Sequence, residues 1–98
     1  VRDLLPIVEI LTEATSNQAR AEWLSAVPMG VIQRDHLVIG EILELAGFVA
    51  GRAYLGALSA QNNARRLPDG RYPQTVLMAT EHARLLMWEA VKQGGQIE

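Results

Sequence analysis

Residues 41–58 read EILELAGFVAGRAYLGAL, a run that is apolar for most of its length and yet carries three charges and three glycines. No proline stands between Asp35 and Asn62, and nearly every residue there is a helix former or a small one. The pattern predicts one long central helix over about residues 35–62. At 1.5 Å per residue that helix would extend roughly 40 Å, further than a compact hundred-residue globule is wide. The fold therefore turns on what packs around it.

Three lines run along this predicted helix. Ile39, Ile42, Ala46, Val49, Ala53, Gly56 and Ala60 narrow from bulky to small, and the last helix offers Val76, Ala79, Ala83, Leu86 and Ala90 at the same alternating spacing. The two lines predict an antiparallel hairpin with an alanine-lined seam. A second line, Gly40, Leu43, Gly47, Ala50, Gly51 and Tyr54, carries most of the glycines. Each glycine in a helix interior costs about 1 kcal/mol against alanine. Gly40, Leu43, Gly47, Gly51 and Tyr54 are therefore expected to receive another helix, either the N-terminal one or the same helix of a second subunit in a homodimer. The third line is Glu41, Glu44, Phe48, Arg52, Leu55 and Ser59, and its counterpart on the last helix is Leu77, Glu81, Arg84, Trp88 and Lys92. Phe48, Leu55 and Trp88 rimmed by Arg52 and Arg84 predict a partner-binding surface, with Trp88 within reach of cation–π contact from Arg84 and Lys92.

The remainder of the chain supplies boundaries. Asp3 before Leu4, Leu5 and Pro6 reads as a helix start, and Leu4, Ile7, Val8, Leu11 and Ala14 follow helical spacing. TSNQ at 15–18 interrupts that helix, with Asn17 a candidate cap for its continuation, and Pro28-Met29-Gly30 ends the region. These residues form an N-terminal helical arm, 1–27. Residues 63–73 gather Pro68, Asp69-Gly70 and three arginines into a loop. Pro73 opens a last helix over about 74–93, stopped by Gly94-Gly95. The expectation is one all-α domain of 98 residues, an antiparallel helical hairpin with one long central helix and the N-terminal arm.

Composition narrows the function classes. The net charge of −2 and pI of about 5.7 speak against the clustered basic surface of a nucleic-acid binder. With no cysteine, disulfides, thiolate catalysis and Cys-based zinc sites are excluded, which agrees with a reducing, cytoplasmic location. The chain opens at Val1, and no secretory-signal pattern stands in it. Small-xxx-small glycine spacing also occurs in membrane helices, but Glu41, Glu44 and Arg52 make insertion costly. His36 and His82 lack the glutamate three residues earlier that a di-metal bundle needs, and Ser16, Ser25 and Ser59 sit in no nucleophile elbow. No catalytic, cofactor or metal residue is assigned, and the chain is read as a non-enzyme.

The reading that remains is a small protein-binding regulator that inhibits its partner by masking a surface. Alternatives are a self-assembling, phage-type structural component or, through Arg65, Arg66 and Arg71, a DNA-binding regulator. The central EILELAGFVAGRAYLGALSAQ followed by PQTVLMATEHARLLMWEAV resembles the small QslA-like quorum-sensing anti-activators. That resemblance implies a LuxR-type transcription factor as partner, held off DNA because its dimerisation is blocked.

Overall fold

The computed structural model describes the backbone of residues 5–97 and the side chains of residues 5–93. Five helices follow in order: α1, Pro6–Glu13; α2, Asn17–Ala26; α3, Met29–Leu45; α4, Val49–Asn62; and α5, Gln74–Ile97. The all-α class and the hairpin of the last two helices are present, with α4 and α5 making the most extensive pairing and α3 against α4 the next.

The long central helix is not. It breaks after Leu45, and the break is a complete C-terminal cap. Gly47 adopts φ +73°, its amide donates to the Glu44 carbonyl at 3.0 Å, and the Phe48 amide donates to the Leu43 carbonyl at 3.0 Å. These two bonds, with a left-handed glycine between helix and exit, are the Schellman motif. Its usual hydrophobic partner contact is also met, since Leu43 and Phe48 share the buried core at 0% and 2% exposure. Helix α4 then turns back on α3. In a straight helix residues 40 and 52 would stand about 18 Å apart along the axis, whereas a Cβ built on Gly40 would meet Arg52 Nε at 2.9 Å.

This corner answers what the glycines accommodate. The group over Gly40 is the Arg52 guanidinium, and the group over Gly51 is the Phe48 ring, 2.4 Å from a Cβ built there. Both are the chain's own side chains, so neither the arm nor a second subunit fills those positions. Gly47, expected on the same packing line, is exposed and serves as the terminator. Gly40, Leu43, Gly51 and Tyr54 are buried.

Three further boundaries move. Helix α3 starts at Met29, with Pro28 as its N-cap, because a proline at a helix start withholds no amide that the helix needs. The expected start at Asp35 survives as a kink, φ −121° and ψ 20°, inside the helix, and Asp35 itself is buried. Helix α5 runs through Gly94-Gly95 to Ile97; glycine ends a helix only when it takes the left-handed conformation. In the arm, α2 is capped by Ser16, whose hydroxyl accepts from the Ala19 amide at 3.1 Å, while Asn17 receives Arg20 Nη1 at 2.7 Å. The capping role expected of Asp3, and the expected Leu4 contact, lie outside the described residues.

Trp23 Nε1 donates to the Ile7 carbonyl at 2.7 Å and ties α2 to α1. The loop 63–73 closes as predicted, with Gly70 at φ +88° and the Leu67 and Arg71 backbones bonded across the turn at 2.8 Å. The molecule is a slab, 46 × 37 × 18 Å. Of the described side chains of α5 only Met87 is fully buried.

The corner is testable by glycine replacement. Gly47→Ala should lower stability by roughly 1–2 kcal/mol, the cost of a left-handed L-residue, with Gly47→Asn losing less. Gly30→Ala should be neutral or stabilising, because Gly30 lies in a helix with nothing within 4 Å of an added Cβ. Equal urea midpoints for the two alanine variants would contradict the motif.

Candidate partner-binding site

The surface expected to meet a partner was built on one straight helix, and the corner redistributes it. Phe48 follows the glycine and packs inward on Leu43. Gly51, Leu55 and Leu58 succeed it at helical spacing and form the inner face of α4. Phe48 and Leu55 are therefore core residues at 2% and 1% exposure, unavailable to a partner.

Arg52 is partly exposed but engaged. Its Nε lies 3.4 Å from Glu44 Oε1, an ion pair by distance without hydrogen-bond alignment, and the guanidinium covers Gly40. It clips α4 to α3 across the corner. Arg84 donates to both Glu81 carboxylate oxygens, Nε to Oε2 at 2.8 Å, and that bond holds the Glu81 carboxyl below the usual carboxylate range. Trp88 is half-buried against the core. The cation–π contact expected at Trp88 occurs instead in the loop, where Arg66 lies 4.4 Å over the Tyr72 ring.

What the slab does expose is a different set. Among the described residues Leu45 is 90% exposed, Val49 78%, Leu37 70%, Met78 62%, Ile10 61%, Leu85 54% and Leu86 53%. Leu45 and Val49 flank the corner, and Val49 leads into a groove of about 450 Å³ between α4 and α5. Val49, Ala50 and Ala53 line it from α4, and His82, Ala83, Leu86 and Ala90 from α5; Gly47, Phe48 and Asn17 complete it. The lining is apolar except for Asn17 and His82. Val49, Ala53, Ala83, Leu86 and Ala90 are the alanine-rich lines expected to close the hairpin seam. They flank a groove because α4 presents Gly51, Tyr54, Leu55 and Leu58 to the interior in their place. A Gly-Phe pair after an amphipathic run, LELAGF, is the sequence signal for this arrangement, since it matches an αL terminator followed by an apolar contact residue.

A second hollow, about 520 Å³, lies under the loop beside Leu67, Gly70, Arg71, Tyr72, Gln74 and Leu77. Its arginine chemistry is internal. Arg71 Nε bonds Asp69 Oδ2 at 2.7 Å, and Arg66 Nη2 bonds the Tyr72 hydroxyl at 2.9 Å. Among the described residues no three His, Asp or Glu side chains converge as metal ligands, and no helix is long and apolar enough to cross a membrane. No protein-family model matches the chain, and neither curated proteins nor solved structures gave a significant match.

Tyr54 of α4 is buried and feels the charged pair Arg84 and Glu81 on α5. Burial pushes its phenol above the ordinary 10.0, with the Arg84 charge opposing and the Glu81 charge adding to the rise. The unfolded chain therefore ionises first as pH climbs. This contribution to stability is complete below pH 10.0 and is lost as pH rises through the folded value. Tyr54→Phe should flatten the decline in urea midpoint above pH 10 relative to the parent; parallel declines would mean the hydroxyl is not desolvated.

Proposed function

We propose that the chain is a protein-binding regulatory module whose α4/α5 groove seats a short apolar helix of its partner, and that occupancy masks this partner surface from its other uses. The observation that carries the reading is the groove itself: a trough lined by Ala50, Ala53, Ala83 and Ala90 with Val49 and Leu86, apolar but for Asn17 and His82. Alanine linings admit a third helix at the close end of the usual 8–10 Å separation, and an amphipathic helix laid in a groove is a recurring mode of peptide recognition. Exposed leucine and valine on both sides of the trough supply the anchoring area.

The partner suggested by the sequence resemblance is a LuxR-type transcription factor, inhibited by occlusion of the surface it dimerises through. In this reading the binding residues are Val49, Ala53, His82 and Leu86, and Phe48 and Leu55 act only by holding α4 in place. Calorimetric titration of a LuxR-type receptor's ligand-binding domain tests both parts. Binding should be saturable and accompanied by loss of receptor dimer. Ala53→Arg and Val49→Glu, which charge the groove at exposed positions, should each weaken it at least tenfold with helicity unchanged. Binding indifferent to both substitutions would move the site elsewhere, and absence of binding would remove this receptor class as the target.

A further inference from the structure

We infer that the outward face of α5 is a self-complementary surface that pairs antiparallel with the α5 of a second copy. At 100° per residue, Met78, His82, Leu85 and Glu89 fall within an arc of about 60° opposite the buried Met87, and Leu86 stands on its shoulder. Met78, Leu85 and Leu86 are each more than half exposed, and His82 and Glu89 are exposed as well. Met78 and Leu85 on the side of the helix facing away from its own core, with Leu86 at the edge of that side, have no occupant among the described residues.

The charges specify the occupant and the register. In a two-fold dimer every group must find its mate in the same face at a mirrored height. A parallel pairing would set Glu89 level with Glu89 of the second copy. An antiparallel pairing about a point between His82 and Leu85 would set Glu89 level with Met78, a carboxylate against an apolar side chain. An axis between Leu85 and Leu86 removes both conflicts. It gathers Leu85 and Leu86 of the two chains into a four-leucine cluster and sets His82 level with Glu89 of the other copy, twice, each about 5 Å along the helix from the axis. An imidazole N–H donates to a carboxylate in either protonation state of the ring, so both pairs are satisfied at once. Met78 then lies level with Gln93, whose Nε2 bonds Glu89 Oε1 at 3.2 Å and holds that carboxylate on the face.

This dimer shares His82 and Leu86 with the groove, so it competes with partner binding; Leu85 does not line the groove and separates the two. Light scattering and sedimentation equilibrium across a wide concentration range provide the test. The parent should be dimeric, Leu85→Glu should weaken the dimer at least a hundredfold, and circular dichroism should show both folded. His82→Glu sets two carboxylates against each other and should weaken association tenfold or more. Adding Glu89→Lys to His82→Glu should restore it, because the opposed pair is then Glu against Lys. A monomeric parent, a dimer indifferent to Leu85→Glu, or a double variant without rescue would each overturn the proposal. Retained partner binding by Leu85→Glu would leave the groove reading standing whichever way the dimer test falls.

Discussion

The capping of α3 at Gly47 is the constraint on which the remaining architecture depends. Two backbone bonds, from Gly47 to Glu44 and from Phe48 to Leu43, satisfy carbonyls that a helix end would otherwise leave open. They also deliver the Phe48 ring into the core beside Leu43 and over Gly51. From that point the direction of α4 is set. Arg52 comes to rest over Gly40 and against Glu44, and Tyr54, Leu55 and Leu58 inherit the inner face. Burying the Phe48 ring is worth about 1.5–3 kcal/mol on transfer alone, more than the ion pair of the partly exposed Arg52 is expected to add. The ring holds the corner, and the arginine trims it.

A corner in place of a continuous rod has a cost in burial. The chain folds into a slab 18 Å thick, and α5 lies along one side with a single fully buried side chain among those described. The apolar side chains that a thicker bundle would enclose remain outside, at Leu45, Val49, Met78, Leu85 and Leu86. Groove and outward α5 face are two consequences of the same geometry. The function proposed here therefore does not rest on a motif; it rests on where the fold leaves its apolar surface.

Much of this was legible before the structure. The helical class, the turn at Asp69-Gly70 and the helix start after Pro73 follow from spacing and from residues with fixed backbone preferences. The buried line through Gly40, Leu43, Gly51 and Tyr54 was also visible as a line of close packing, although its occupants were not. What failed was phase. A heptad carried across residues 46–48 assumes continuous helical rotation, and a left-handed glycine resets it. Phe48 and Leu55 consequently changed sides, from the surface to the core, while Val49 and Leu86 moved from the seam to the open groove. Glycine in a helical pattern is ambiguous between close packing and termination. The apolar residue after Gly47 distinguishes the two, because a terminating glycine is commonly followed by a side chain that folds back on the last turn.

The corner can be measured directly, since the chain has no cysteine and two introduced ones take spin labels without competition. Leu37 of α3 and Ala60 of α4 are both exposed, and in an uninterrupted helix they would lie about 35 Å apart along the axis. Pulsed dipolar spectroscopy on labelled Leu37→Cys/Ala60→Cys should give a single distance well short of that value, as α4 turning back on α3 requires. A distribution centred near the straight-helix distance would contradict the corner, and with it the groove and every surface assignment that follows from the burial of Phe48.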